Sequence, residues 1–312
     1  MKNLLPNSKV IPVFVGGTGR SGTTVMGDLL GFHNQVRTSV PIEVKFIANK
    51  SGLLQLVFGR DAAGKQKKIA LFNLRARRRR WISEKAKFEN IQKEFIDRIW
   101  NSWWDIDAPP PHGRGLHSGI SKDKLESLID RLIKDLRIHR VWAARRFMRD
   151  FINSQDGHKG QKYWVETTPL NIAQAQKIKK IFPHALFINM TRDSRDVIAS
   201  LLTKNWGPTT PLEGLEWIEK RLIDAHAALR HIPSKDQLRI ALEDLAINNR
   251  EQTYNSLLTF LHLADDPAMH EFFQSKLTPH AAMSGRWKQE IATPEFLAGY
   301  AELEKKLAAL NN

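Results

Sequence analysis

An α/β fold built on a mostly parallel central sheet is the architecture this sequence predicts, and three observations carry that expectation. The first is a β-branched apolar run, Val13-Phe14-Val15, that passes through Gly16, Gly17 and Gly19 into Ser21-Gly22-Thr23-Thr24. The second is the return, after Gly160, of short apolar runs each followed by helical periodicity: Tyr163 to Val165, Ala185 to Met190 and Leu238 to Leu242. The third lies between them. From about 50 to 155 strand signals are scarce, charged and aromatic residues dominate, and helical patterns such as Lys122 to Arg149 prevail. Alternating strands and helices give a parallel sheet covered on both faces. The expected form is therefore three-layered, one domain over 1–312 with helices flanking the sheet and a helical basic and aromatic insertion at about 50–155.

The glycine-rich stretch carries the chemistry. After it, Val25, Met26, Leu29 and Leu30 recur at helical spacing, so the unit reads as buried strand, tight loop and helix N-terminus. Glycines let backbone approach an anion closely, and the loop N–H groups with the positive helix end hold it. Against the Walker pattern G-x-x-x-x-G-K-[ST], Gly17 and Gly22 have the right spacing and Thr24 fills the hydroxyl position. Thr23 stands where the lysine would be, and the loop's cation is Arg20. The signal is that of a P-loop-type fold without the lysine of ATP or GTP hydrolysis. The plainer alternative is a glycine-rich turn that only joins strand to helix.

Composition bounds the rest. The 312 residues suffice for a large core. Lys and Arg number 48 against 33 Asp and Glu, a net charge of +15, which favours polyanionic partners: phosphorylated nucleotides, acidic glycans, nucleic acid or an anionic membrane surface. The absence of cysteine excludes disulfides, thiolate metal sites and a cysteine nucleophile. No run approaches the ~18 apolar residues of a membrane span. Met1 to Pro12 lacks the apolar core and cleavage site of a signal peptide, so a cytoplasmic protein is expected.

Along the chain, Val36 to Ile47 reads as a short extended piece around Pro41 that carries Glu43 and Lys45. The middle region holds Arg75-Ala76-Arg77-Arg78-Arg79-Arg80 with Lys65, Lys67 and Lys68 upstream, then Trp100, Trp103 and Trp104, and the loop Pro109 to Gly115. Arginines beside aromatics suit nucleic acid or a sugar polymer; a solvated basic helix with core tryptophans is the other reading. Further on, a helix is expected from about Asn171 to Phe182, another from near Ser194, and a third after Glu243-Asp244 through Leu261. Ligands of parallel sheets bind outside the carboxyl ends of the strands. That rule groups the Gly17–Thr24 loop, Glu166 to Thr168 and Arg192-Asp193.

A second anion site then joins the loop. Arg192 ends a strand and Ser200 lies on the following helix, a fixed cation with a helix hydroxyl. Two such sites suggest a ligand phosphorylated at both ends of its ribose. Here the chain resembles the sulfotransferase family, bacterial and Golgi-type branch, which uses 3′-phosphoadenosine 5′-phosphosulfate (PAPS) and releases 3′-phosphoadenosine 5′-phosphate (PAP). Gly19-Arg20-Ser21-Gly22-Thr23-Thr24 resembles that family's 5′-phosphosulfate loop, with Arg20 where cytosolic members carry lysine. Arg192 to Leu202 resembles the 3′-phosphate motif, with Arg192 and Ser200 as the binding pair. Ser284-Gly285-Arg286-Trp287-Lys288 resembles a late segment whose arginine and tryptophan, here Arg286 and Trp287, close over the nucleotide. The likeness covers most of the chain in order, apart from about 50 to 155.

The resemblance implies in-line sulfuryl transfer to an acceptor oxygen or nitrogen, in which positioning and charge stabilisation do most of the catalysis. Arg20 and the backbone N–H groups of Ser21 to Thr24 would neutralise the developing charge. A hydroxyl acceptor needs a base, and Glu43 resembles the family's glutamate opposite the loop; a surface carboxylate paired with Lys45 is its plainer reading. Glu166 is the rival, as base or acceptor-positioning group. His33, His112 and His117 are weaker candidates. No metal-ligand spacing is found and no metal is expected. Expected partners are the nucleotide and an acceptor that is acidic or sugar-containing; peripheral membrane contact is compatible with the charge, and nucleic acid is not the expected partner. Two other functions stay open: a P-loop kinase or NTPase with Asp193 as its acidic residue, and a basic protein binding nucleic acid through Arg75 to Arg80.

Overall fold

Ile11–Gly17 forms the central strand because its alternation suits a sheet buried on both faces: Val13 and Val15 point one way, Phe14 the other, and all three are fully buried. The computed structural model describes residues 10–59, 74–105, 115–155 and 162–310. In chain order the elements are β1 (Ile11–Gly17), α1 (Thr23–Gly31), β2 (Val36–Thr38), α2 (Leu53–Phe58), α3 (Leu74–Arg98), α4 (Lys122–Asp135), α5 (Arg140–Ser154) and β3 (Tyr163–Glu166). There follow α6 (Ala175–Ile181), β4 (Leu186–Thr191), α7 (Ser194–Leu202), α8 (Pro211–Leu229) and β5 (Gln237–Ala241). The chain ends in α9 (Arg250–Leu261), α10 (Pro267–Lys276), α11 (Pro279–Ala282), α12 (Trp287–Glu290) and α13 (Pro294–Ala309). It divides into two units: Met1–Thr38, His158–Lys179 and His184–Asn312 form one, Ser39–Gly157 and Lys180–Pro183 the other.

The first unit contains the whole sheet, in strand order β2-β3-β1-β4-β5, with every neighbouring pair parallel. The expected α/β class with a parallel central sheet is thus found. From β1 the chain runs outward to β2 and β3, then crosses to β4 and β5, so the strand order reverses beside the carboxyl end of β1. Parallel sheets bind ligands at such reversals. One face packs Val13, Val15, Val36, Val165, Ile188 and Ile240 against Met26, Leu29 and Leu30 of α1 and Tyr254, Leu257 and Phe273 of α9 and α10. The other carries an aromatic row, Phe14 between Trp164 at 6.2 Å and Phe187 at 5.9 Å, with Gly16 against Ile172 in the turn before α6. Helices therefore cover both faces. Each large apolar side chain so buried stabilises the fold by about 1.5–3 kcal/mol. Beyond the sheet, α7, α8 and α13 share a second core of Val197, Ile198, Leu201, Leu215, Ile218, Phe296 and Leu303.

Helix starts follow a repeated rule. Thr210-Pro211, Asp266-Pro267, Thr278-Pro279 and Thr293-Pro294 each place a capping side chain before a proline at the first helical position, and each cap accepts a first-turn N–H. Several expected boundaries shift for physical reasons. The helix expected from Asn171 begins only at α6, because Pro169–Asn171 forms a 3₁₀ turn whose Asn171 side chain is bound to Val15 O and the Glu166 carboxylate. The extended piece around Pro41 ends at Thr38; beyond the cis Val40–Pro41 bond the backbone closes turns, Ile47 N–H to Val44 O and Asn49 N–H to Lys45 O. Before α9, Asp244–Asn248 forms a π-helical turn.

The second unit is helical, with no strand among its described residues. The pattern from Lys122 to Arg149 is two helices, α4 and α5, broken at Leu136 to His139. They pack together, with Asp150 paired to Arg131 and Arg149 and Asp135 paired to Arg146. Phe46 is its aromatic centre, in edge-on contact with Phe95, Phe147 and Phe151. The arginine run begins α3, where Arg78 is exposed. Lys65, Lys67, Lys68, His112 and the loop from Pro109 to Arg114 lie outside the described residues. Among the described residues no helix is long and apolar enough to cross a membrane.

Asp266 ties the start of α10 to the turn after α1. Its carboxylate accepts the N–H groups of Ala268 and Met269, at 3.0 and 3.4 Å, and of Asn34 at 3.2 Å. Burial raises its pKa, but these donors and nearby His33 outweigh that and hold the carboxyl below its ordinary value. Its stabilising contribution is therefore complete above the ordinary carboxylate pKa, near 4, and is lost as pH falls through the lower folded value. Urea unfolding should show Asp266→Asn about 0.5–1 kcal/mol less stable than wild type near pH 6, with the two curves converging as pH falls through the lowered folded value.

Candidate functional site

The loop between β1 and α1 is built by residues that tolerate left-handed backbone: Gly19 at φ 84°, Arg20 at 56° and Gly22 at 91°. A Cβ on Gly17 would lie 2.3 Å from Met190 O and 2.6 Å from Ser21 Oγ, so only glycine lets β1 end so close to β4. No side-chain hydrogen bond caps the start of α1. Ser21 is fully buried in this loop and its Oγ has no hydrogen-bond partner. Thr23 is buried and Thr24 half-buried at the first helical turn.

Arg20 reaches out of the loop, and its Nε donates to Ser200 Oγ at 3.0 Å. Ser200 stands on α7, on the helix that follows β4. Arg192, just past the end of β4, donates to Arg20 O at 3.3 Å and to Ala282 O and Met283 O at 2.9 and 3.0 Å; its Nε is buried without a partner. Arg20, Ser200 and Arg192 thus stand side by side. Burial pulls the Arg192 guanidinium down from its ordinary pKa, and the neighbouring cations Arg286 and Arg20 act the same way against Asp196 and Glu243. Three guanidinium groups, Arg192, Arg286 and Arg20, thus share one field with the carboxylates of Asp196 and Glu243.

The late segment is strapped to this site. Asp196, fully buried in the first turn of α7, accepts the N–H of Gly285 at 2.8 Å and of Trp287 at 3.2 Å. Met283 and Gly285 take left-handed conformations at φ 48° and 83°. Trp287 lies under the Arg195 guanidinium, 4.0 Å from its ring centre, and Tyr300 lies 4.8 Å from the same cation. Arg195 is fixed by Asp193, whose carboxylate also caps α7 through Arg195 N–H. The guanidinium's hydrogen bonds to Asp193, acting against burial, raise the Arg195 pKa; burial first, then Asp193 and Glu304, push the Tyr300 hydroxyl up to about 12. Arg286 pairs with Glu290. Asp193, the acidic residue a kinase would need, has both oxygens engaged by Arg195. Nothing local in the sequence singles out Asp196 or Arg195, whose partners Gly285, Trp287 and Tyr300 are distant in the chain.

Glu166, at the carboxyl end of β3, is fully buried. One oxygen accepts Thr168 N–H and the Thr168 hydroxyl, and the other accepts Asn171 Nδ2. Pro169 O, in the turn these bonds fix, stands 2.8 Å from where a Cβ on Gly16 would be. Glu43 belongs to the second unit, half-buried in the turns before α2. His33 is buried with Nδ1 accepting Gln35 N–H and Nε2 against Ala264 O, contacts that make it structural. His117 sits beside Trp104, with Nδ1 2.8 Å from Trp104 O.

Asp196→Asn removes one of the two acceptors that hold the strap. A buried hydrogen bond to a charged group contributes about 1.5–3 kcal/mol. Amide hydrogen exchange at Gly285 and Trp287 is expected to rise tenfold or more in this variant, while the α1 amides keep wild-type protection.

The model of the sulfotransferase family matches residues 12–267. A search of curated protein sequences finds no match. Among solved structures, the sulfotransferase domain from the Synechococcus PCC 7002 olefin synthase is similar in fold, with a TM-score of 0.54 at 15% identity over 99% of this chain and 98% of that one. Sulfotransferase STF9 from Mycobacterium avium gives 0.47 at 12% identity, over 96% of this chain and 77% of its own. The sulfotransferase from Alicyclobacillus acidocaldarius gives 0.43 at 13%, over 96% and 98%. With the family match spanning most of its length, the chain belongs to the sulfotransferase family.

Proposed function

We propose that this protein transfers a sulfuryl group from PAPS to an acceptor hydroxyl, with an amine as the second choice. The observation that carries this reading is the hydrogen bond from Arg20, in the β1–α1 loop, to Ser200 on α7, which sets two anion-competent positions next to each other. A nucleotide with one anion at each end of its ribose answers that spacing. Arg192 and Ser200 take the 3′-phosphate. Arg20 and the amides of Gly19 and Ser21 to Thr24 take the 5′-phosphosulfate, and Arg286 and Trp287 cover the nucleotide. Binding turns Arg20 and Ser200 from each other to the ligand.

In the reaction the acceptor oxygen attacks sulfur in line, the bond from sulfur to the 5′-phosphate oxygen breaks, and PAP leaves with the electron pair. Arg20 and the loop amides stabilise charge on the bridging and sulfonate oxygens, preorganised by the three left-handed residues. Glu43 takes the acceptor's proton. Glu166, with its oxygens already bound, contributes by fixing the turn that backs the loop. The reading needs no metal ion. The acceptor class it favours is acidic or sugar-containing.

Titration calorimetry with PAP, ADP and ATP with Mg²⁺ tests the nucleotide half. PAP should bind without metal, and Arg192→Ala should weaken it tenfold to a hundredfold; binding of ATP with Mg²⁺ in place of PAP overturns the reading. Glu43→Gln should leave PAP affinity unchanged and slow sulfuryl transfer about 10²- to 10⁴-fold, measured with a panel of phenol, lipid-alcohol and glycan acceptors.

A further inference from the structure

The corner between α4 and α5 holds an apolar side chain out in solvent. Arg137 N–H donates to Lys134 O, and the N–H groups of Ile138 and His139 donate to Asp135 O, which closes α4. His139 then turns extended and caps α5, its Nδ1 accepting Trp142 N–H at 3.1 Å. The tip is thus pinned at both ends. Ile138 stands on it 80% exposed, the highest value of any large apolar residue among the described residues. A single exposed apolar side chain is ordinary on a protein surface, but this one adjoins more. It borders a cleft of about 400 Å³ walled by Val57 and Phe58 of α2 and by Leu136 and Val141 of the corner.

Charge around the tip has one sign. Arg137 and Arg140 line the same cleft, and no carboxylate does. Asp135, the nearest acid in the chain, is paired with Arg146. Arg140 reaches the cleft wall, donating to Val57 O at 2.8 Å, and the Lys180 ammonium lies 5.6 Å from the centre of the Phe58 ring. All of these residues belong to the second unit. An apolar tip ringed by cations is matched by an anionic bilayer. The apolar side chain leaves water at the acyl boundary, while the long basic side chains keep their charges at headgroup level, where the negative potential attracts them. A protein groove could also take an isoleucine, but a cationic rim on a chain of net charge +15 favours a continuous negative surface. We propose that the α4–α5 corner docks the protein on an anionic membrane, with Ile138 inserted between headgroups and Arg137, Arg140 and Lys180 on their phosphates. This surface is independent of the sulfuryl transfer proposed above.

The full chain is sedimented with vesicles of phosphatidylcholine, alone or mixed with phosphatidylglycerol, at physiological ionic strength. Wild type should bind the mixed vesicles and not the neutral ones. Ile138→Ser, which changes no charge, should weaken that binding about tenfold. Arg137→Glu should weaken it about fivefold or more, and both variants should unfold at the wild-type temperature. Arg78→Glu makes the same charge change at an exposed position of α3 and should bind as wild type does. Because the chain has no cysteine, Ile138→Cys can carry one environment-sensitive dye. Its emission should shift to the blue on mixed vesicles and be quenched by brominated acyl chains. Undiminished binding by Ile138→Ser, equal losses in Arg137→Glu and Arg78→Glu, or a dye that stays in water on bound vesicles overturns the proposal. Binding to neither vesicle also overturns it and leaves the corner to a protein partner.

Discussion

The site depends on a close approach of two strands that only glycine permits. Met190 O and the Ser21 hydroxyl occupy the space a side chain on Gly17 would need. Because β1 can end against β4, the loop after β1 and the helix after β4 emerge side by side, and Arg20 meets Ser200. A larger residue at this one position would push apart the two segments on which Arg20, Arg192 and Ser200 are mounted. The nearby turn at Thr168 to Asn171 supports the same junction from the other face of the sheet, anchored by the buried Glu166 carboxylate.

The second organising feature is the carboxylate of Asp196. It converts the segment around Gly285 and Trp287, which by its left-handed residues is an irregular loop, into a fixed wall beside Arg192. Arg195 stiffens the same wall from the other side, clamped by Asp193 and stacked between Trp287 and Tyr300. The two carboxylates of one helix start therefore do different work. Asp193 orients a cation that supports an aromatic ring, and Asp196 holds backbone.

Much of the fold was legible because its signals are local. The β-branched run at Val13, the helical spacing from Val25 to Leu30, and the apolar strand before Arg192 each declare an element within a dozen residues, and alternation of such elements implies a parallel sheet. The family resemblance was likewise carried by contiguous motifs, and the family match agrees with it. What sequence did not reveal depends on distant partners. Asp196 and Gly285 are 89 positions apart, and no pattern at either residue announces the other. The Asn171 helix start was misplaced for a related reason: its side chain is bound by a buried glutamate, so a propensity that normally favours continuation or capping was spent on tertiary contact.

The hydrogen bond between Arg20 and Ser200 has a consequence for how affinity is distributed over a ligand. The bond must open before either end is fully available, so a single anion entering at one end bears the whole cost of separating the pair. A ligand charged at both ends opens it once and gains two partners. Its affinity then exceeds what the two fragments would give when summed, a positive coupling whose size equals the free energy of that one contact. Under the proposed function, discrimination against nucleotides lacking the second phosphate follows without any group that repels them.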